Sequence, residues 1–496
     1  MSIFHRNKSS ISRSLSHRFE TLTSVLLRKP GRPFSGEAVI VNGEMDSVVG
    51  EPKEGCVDVS KWKAVNALDF GVRRSDIPPF PWTVIDKLRK KGFDAYLVGG
   101  CVRDLLLKKI PKDFDVVTTA NLNQVKKVFS RSLIVGKKFP ICHVRGQGFL
   151  VEVSSFDTSQ SIAKENGTKS LDTPSGCNKK DIVRWRDSML RDFTINGLYY
   201  DPFANRIYDY VSGIRDIKLC KLRTIIPAHL FLEKQGANVL RGIRIAARLG
   251  LEISEETAAA IKLLAPSVSS IVKVRLIMEM NYMMAYGAAV SSINLLQKFK
   301  VLDILLPIQA TYLAQQARKN FSQNSTMLMK LFSSVDKLLA PNCPSDGILW
   351  VAVLAFHLAL VNHPQDAFVV WTFASILFHG SWTKAVESVK NVQTQPQFSP
   401  EILESSVTRS DECLEEKVQD LASLVISSMD VFACKDALRQ YMIKHPDCPS
   451  SGLVFTSKNA CDKVARLLAF SRLISAHMPV SGRRTTSITG CWQRGM

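Results

Sequence analysis

The stretch Tyr96-Leu-Val-Gly-Gly-Cys-Val-Arg-Asp-Leu-Leu-Leu107, followed by Pro111-Lys-Asp-Phe-Asp-Val-Val117, constrains the fold more than any other part of the chain. It predicts a strand, a Gly-Gly turn, a short helix and a second strand carrying two carboxylates. Side chains on a strand alternate between faces. Asp113 and Asp115 therefore share one face, and Phe114 enters the core. Two carboxylates on one edge can hold a pair of divalent cations. A two-metal site clamps the attacking and leaving oxygens of an in-line phosphoryl displacement. Gly99 and Gly100 let the backbone approach a triphosphate closely, and the helix that follows offers free N–H groups to the same anion. Each piece alone has an ordinary reading as a tight turn or as solvated acids. Their order within residues 96–117 carries the inference.

Three further stretches add to it. Phe149-Leu-Val-Glu-Val-Ser-Ser-Phe156 alternates like a strand with Glu152 at its centre. A buried Glu between apolar neighbours needs a partner, and a metal shared with Asp113 and Asp115 would be one. The other reading is a sheet-edge Glu facing water. In Leu190-Arg-Asp-Phe-Thr-Ile-Asn-Gly-Leu198, the planar fork of Arg191 suits phosphate oxygens. Asn196 suits a sugar or base, while Asp192 also reads as a helix cap. In Asn238-Val-Leu-Arg-Gly-Ile-Arg-Ile-Ala-Ala-Arg-Leu-Gly250, Arg241, Arg244 and Arg248 share one helix face and Gly250 suits its end. That face either touches phosphate or is solvated.

Together these runs resemble the nucleotidyltransferase fold of the DNA polymerase β superfamily. More narrowly, they resemble the class II tRNA nucleotidyltransferase and bacterial-type poly(A) polymerase family, with its Gly-Gly-x-Val-Arg-Asp and Asp-x-Asp runs. The likeness extends from about residue 60 to 307. It closes with Val272-Lys-Val-Arg-Leu-Ile-Met-Glu-Met and Leu302-Asp-Ile-Leu-Leu-Pro307. It implies an α+β protein in which a mixed-sheet catalytic head precedes a mainly α-helical neck, body and tail. It implies Asp113, Asp115 and Glu152 as catalytic carboxylates, the first two holding two Mg²⁺ or Mn²⁺ ions. It implies nucleotide binding by Gly99, Gly100, Arg103, Arg191, Asp192, Asn196, Gln235, Asn238, Arg241 and Arg244. ATP would be the substrate and an RNA 3′ end, of tRNA or other RNA, the acceptor.

The chain departs from the family twice. Leu190 replaces the first Arg of Arg-Arg-Asp-Phe-Thr. The family's base-reading Glu-Asp-x-x-Arg falls on Lys234, Gln235 and Asn238. Two neutral amides discriminate less than an Asp/Arg pair. The expectation is therefore AMP transfer from ATP to an RNA 3′-hydroxyl, with loose base choice. Two alternatives stand beside it: tRNA CCA addition, and an RNA-binding protein on a catalytically impaired fold. Survival of all three carboxylates argues against the last.

The formal net charge of +20 over 496 residues favours a polyanionic partner. Residues 1–34 contribute seven Lys and Arg against one acid, Glu20, amid many serines. Ile11, Leu15, Phe19 and Leu22 fall on one helical stripe. This is presequence composition, with a mitochondrial destination favoured over a chloroplast. Eleven scattered cysteines without Cys-x-x-Cys fit a reduced compartment and no structural zinc. Cys101 reads as a small packing residue, and His143 as a structural residue preceding a strand. The apolar runs Ile348–Val361 and Asp366–Phe378 are too short to cross a bilayer and read as buried helices. The expected domains are presequence and linker at 1–58, the head at 59–230, a helical neck and body at 231–390, a linker at 391–414, and a helical region with a basic tail at 415–496. Ser159–Asp181 is expected to be a loop.

Overall fold

The structure is a computed structural model that describes residues 58–137, 139–158, 177–284, 286–339, 347–390, 400–403, 411–446 and 452–468. The presequence, most of the expected 159–181 loop and the basic tail lie outside the described residues. The described chain forms two compact units that divide at Ile304/Leu305.

The first unit is built on β1 (Lys63–Asn66), α1 (Pro79–Lys90), β2 (Ala95–Val98), α2 (Gly100–Leu106), β3 (Phe114–Thr118), α3 (Leu122–Val128), β4 (Ser132–Val135), β5 (Ile141–Gly146), β6 (Phe149–Ser155), α4 (Lys179–Ser188), β7 (Leu198–Asp201), β8 (Arg206–Asp209) and α5 (Gly213–Lys218). Its eight strands run in the order β1-β8-β7-β2-β3-β6-β5-β4. The β3–β6 pair is parallel and the other pairs are antiparallel. Both faces of β2 and β7 are covered, so all their residues are buried. Leu97, Val116 and Val153 pack with Val84, Ile85 and Leu88 of α1. Tyr96, Val98 and Val117 pack with Trp185 of α4 on the other face. Pro79 opens α1, where its missing N–H costs nothing. The helix α4 begins at Lys179, capped by Asn178, so the expected loop ends earlier than residue 181.

The same unit continues through α6 (Ala228–Glu233), α7 (Ala237–Leu249), α8 (Glu255–Leu264), α9 (Lys273–Met283) and α10 (Ala289–Lys298). Residues 231–304 thus belong with the head rather than with the later helices. The cause is packing: Ile245 and Ala246 of α7 share a core with Phe193 and Ile195. Gly250 ends α7 at φ 70°, its N–H bonded to the Ala246 carbonyl.

The second unit contains α11 (Pro307–Arg318), α12 (Met327–Leu338), α13 (Gly347–Asn362), α14 (Ala367–His379), α15 (Trp382–Lys390), α16 (Asp411–Ala433), α17 (Lys435–Lys444) and α18 (Lys458–Leu468). The two apolar runs form α13 and α14, both largely buried. Among the described residues no helix is long and apolar enough to cross a membrane. The start of α16 at Asp411 shortens the expected 391–414 linker.

Candidate active site

The parallel pairing of β3 with β6 sets Asp115 beside Glu152. The next pairing sets Glu152 beside His143 on β5. Cross-strand neighbours share a face, so these three side chains form one line across three strands. Asp113 is exposed, one residue before β3, and Asp115 is half-buried. Burial, then the Glu152 charge, pushes the Asp115 carboxyl up to about 6, while Arg191 works the other way.

Two expectations need correction here. Glu152 is not buried: its side chain is 47% exposed, and its Oε1 lies 3.5 Å from His143 Nε2. It is not on a sheet edge either, because β6 lies between β3 and β5. Val151 and Val153 take the covered face, which leaves Glu152 on the open one. His143 lies within β5, not before it.

Gly99 stands at φ 77°, in the region that favours glycine. A Cβ there would lie 3.3 Å from Arg191 Nη1 and 3.9 Å from Asp115 Oδ2. The glycine is what lets a guanidinium and a carboxylate converge on the turn. Its own N–H goes to the Leu198 carbonyl at 3.3 Å and is not free for a phosphate. Gly100 opens α2.

Arg191 follows α4. Its Nη2 lies 3.1 Å from Asp187 Oδ2, which also accepts from the Tyr199 hydroxyl at 2.7 Å. Burial disfavours the guanidinium charge, but Asp187 and Tyr199 more than offset it. Asp192 precedes a short 3₁₀ turn (Thr194–Asn196), not an α-helix. Its Oδ1 accepts from the Phe193 N–H and from Asn196 Nδ2, at 2.7 and 2.9 Å. Its Oδ2 accepts from Arg241 Nε at 2.6 Å. Burial raises the Asp192 carboxyl, but Arg241 and these bonds bring it below its ordinary value. Asn196 Oδ1 accepts from Arg103 Nη1 at 2.6 Å, and Arg103 also donates twice to Asp104. Asp104, Arg103, Asn196, Asp192 and Arg241 are therefore wired to one another in a chain. The motif residues are first a scaffold, and Asn196 has both ends of its amide engaged.

On α7, Asn238, Arg241, Arg244, Ile245 and Arg248 line one cleft with Gly99, Gly100, Arg103, Asp115, Arg191, Asp192 and Asn196. The cleft holds about 760 Å³. Arg244 Nε lies 2.6 Å from Oε2 of the fully buried Glu279, whose Oε1 lies 2.8 Å from Arg275 Nη2. Burial lowers the Arg244 pKa despite Glu279. Asn238 Nδ2 donates to the Phe231 carbonyl at 2.9 Å. Gln235 does not join the cleft. It is exposed in the turn before α7, one residue ahead of the cap. A second pocket of about 280 Å³ shares Asp115 and Arg191 and adds Glu152, Ser154, Ser155 and Asp187.

Several residues here escaped the sequence reading. Asp187 and Glu279 each sit four residues from an arginine partner, Arg191 and Arg275, a spacing that could have flagged them. Phe139, Ile141 and Phe231 line the cleft without any local signal. Among the described residues, no three His, Cys, Asp or Glu side chains are close enough to hold a metal by themselves. The donor set still fits a hard cation. Mg²⁺ takes one or two carboxylates from the protein and fills its remaining positions with phosphate and water.

The family model for the poly A polymerase head domain matches residues 95–223. The model for a probable RNA and SrmB-binding site of polymerase A matches residues 250–313. The chain is 33% identical over 280 residues to poly(A) polymerase I of Haemophilus influenzae, covering 56% of this chain and 61% of that one. It is 26% identical over 223 residues to a CCA-adding enzyme of Staphylococcus aureus, covering 45% and 54%. It thus spans less than two thirds of the length of either relative. A CCA-adding enzyme of Bacillus stearothermophilus, solved with CTP, is similar over 80% of this chain and 94% of that one. The identity is 20% and the TM-score 0.43.

Proposed function

We propose that the chain, whose residues 95–223 match the family model for a poly A polymerase head domain, is a template-independent RNA 3′-end nucleotidyltransferase that transfers AMP from ATP. The observation that carries this is the convergence at Gly99. Asp115, in line with Glu152, and Arg191 meet there on the wall of an arginine-lined cleft. In the reaction the RNA 3′-oxygen attacks the α-phosphorus of ATP. The bond from that phosphorus to the bridging oxygen breaks, and pyrophosphate leaves with the electron pair. The hydroxyl proton is lost to solvent. Arg191, held charged by Asp187 and Tyr199, binds triphosphate oxygens, with Arg241 and Arg244 on the facing helix. Asp113 and Asp115, with Glu152 as third carboxylate, would hold two Mg²⁺ ions, which when bound supply positive charge to the attacking and leaving oxygens.

The CCA-adding relatives favour a second reading, ordered addition of C, C and A to tRNA. The neutral Asn238, in place of the family's Arg, favours loose nucleotide choice instead. The presequence composition of residues 1–34 supports a mitochondrial location, with the chloroplast as the alternative. Single-turnover incorporation of each labelled nucleotide into oligo(A) and into tRNA lacking its CCA end tests the assignment. Repeated AMP addition to oligo(A) supports it. Faithful C-C-A completion confined to tRNA replaces it with the second reading, and no incorporation on either acceptor removes both.

A further inference from the structure

Lys112 directly precedes Asp113, and its ammonium donates to the Tyr286 hydroxyl. The same ammonium lies 4.5 Å from the centre of the Tyr286 ring, and the Arg248 guanidinium lies 4.7 Å from it. Tyr282 stacks on Tyr286 with ring centres 6.3 Å apart, and Arg244 lies 5.2 Å from the Tyr282 ring. Neither Lys112 nor Arg248 has an ion-pair partner among the described residues, although Arg244 pairs with Glu279. Tyr286 is 4% exposed and sits at φ 61°, a conformation that a bulky aromatic residue adopts only when its surroundings force it. The fold accepts that strain and in return holds Lys112 at the hydroxyl end of the ring and Arg248 beside the same ring. Two like charges gathered on one ring repel, and an anion placed between them removes the repulsion.

Arg248 lines the cleft, whereas Lys112, Tyr282 and Tyr286 do not. The group therefore stands at the rim, beside Asp113. We propose that Lys112 and Arg248, held on Tyr286, clamp a backbone phosphate of the acceptor RNA close to its 3′ end. This rests on the acceptor-RNA reading above. The triphosphate has Arg191 inside the cleft. A phosphodiester on its way to Asp113 has to pass the rim. Cations that track a backbone, interleaved with aromatic rings, are the usual chemistry of single-strand binding. The alternative source of the same chemistry is the triphosphate itself.

The test uses the full chain and a fluorescent oligo(A) with a free 3′-hydroxyl. Binding is read by anisotropy over a series of salt concentrations, and ATP binding is read separately by calorimetry. Lys112→Gln, at an exposed position, should weaken oligo(A) about five- to tenfold and reduce the slope of log affinity against log salt by about 1. Its ATP affinity should stay within about twofold of wild type. Arg248→Gln should lower the RNA slope likewise, and Tyr286→Phe, which removes the hydroxyl that holds Lys112 but keeps both charges, should weaken oligo(A) less than Lys112→Gln and leave the slope unchanged. An unchanged slope in both charge variants overturns the clamp. So does a loss of ATP affinity with RNA binding intact, which reassigns the phosphate to the triphosphate. Incorporation of AMP is scored independently. A slope effect without incorporation keeps the clamp and removes the polymerase reading, and incorporation with unchanged slopes does the reverse.

Discussion

Asn196 and His357 are both almost fully buried, 6% and 1% exposed, yet their surroundings have little in common. Asn196, in the first unit, spends its amide on Arg103 and Asp192, which are themselves bonded to Asp104 and Arg241. Among the described residues, His357, in the second unit, has no hydrogen-bond partner at either ring nitrogen, and Gln309 has none at either end of its amide. The ring of Tyr312 packs against His357 at 83°, with ring centres 4.5 Å apart. Burial alone pushes the His357 pKa down to about 3. The difference separates two uses of a buried polar group. Along the cleft wall, polar groups are joined so that charges such as Arg191 and Asp192 persist despite partial burial. At His357, by contrast, a polar ring is tolerated inside an apolar helix packing and persists only by staying neutral. Removing a group from the first set should cost function, and removing one from the second should gain stability.

The sharpest way to break this contrast is at Asp115. We expect Asp115→Ala, or Asp113→Ala, to reduce nucleotide incorporation by about a hundred- to a thousandfold, the scale of losing one preorganised electrostatic group at a reacting centre. Oligo(A) affinity should stay within about twofold. Single-turnover kinetics with the double variant settle it: extension at the wild-type rate would mean that the line of Asp115, Glu152 and His143 is ordinary sheet surface.

Arg191→Ala comes next. The guanidinium is held by Asp187 and Tyr199 and is directed past Gly99. A charge-assisted contact to phosphate contributes about 1.5–3 kcal/mol, so ATP affinity should fall about ten- to hundredfold. Calorimetric titration with ATP checks this. An unchanged affinity would leave Arg191 as a structural partner of Asp187 only.

Which parts of this site could be read from the sequence follows from how local each interaction is. Gly99, Asp113 and Asp115 lie on one strand–turn–helix–strand unit, so their order along the chain already places them together. Arg191, Asp192 and Asn196 lie on one short turn and are legible for the same reason. Glu152 was legible by alternation, but its exposure was not, because alternation names a face without saying what covers that face. Gln235 was placed beside Asn238 by counting back along a motif. The α7 helix begins only at Ala237, and the residue before its cap leaves the helical row that lines the cleft. Phe139 and Phe231 come to the cleft from loop and helix positions set by long-range packing, on which local spacing is silent. The unpaired state of His357 was hidden too, since an apolar run with one histidine does not say what faces the ring.

His357→Leu tests the other half of the contrast. The unfolded chain takes up a proton at this ring below about pH 6.5, and the folded one only near 3. A folded pKa below the unfolded one means that stability is lost as pH falls from about 6.5 towards 3. At pH 5 the gap of about 1.5 units corresponds to about 2 kcal/mol. Denaturant unfolding followed by tryptophan fluorescence should show His357→Leu more stable than wild type, with the advantage growing by about that amount between pH 7.5 and pH 5. Incorporation at pH 7.5 should be unchanged. An advantage that does not grow on acidification would show that the ring has a charge partner in solution.

The smallest effect is expected at Asn238. One N–H of its amide goes to the Phe231 carbonyl, and the flipped amide would set two oxygens against each other, so the orientation is fixed. That leaves Oδ1 as an acceptor on a residue that lines the cleft. An acceptor pairs with the exocyclic amino group of adenine or cytosine. Against the carbonyl of guanine or uracil it stays unpaired. One neutral hydrogen bond contributes about 1 kcal/mol, or roughly fivefold in selectivity. Asn238→Ala should therefore lower the ratio of kcat/KM for ATP over GTP by about that factor and leave the rate with ATP within a few-fold of wild type. Gln235→Ala should leave the ratio where it is, because that side chain is exposed outside the cleft. A ratio that moves with Gln235 and not with Asn238 would place the base at the turn before α7, and the fixed amide would then be scaffold, like Asn196.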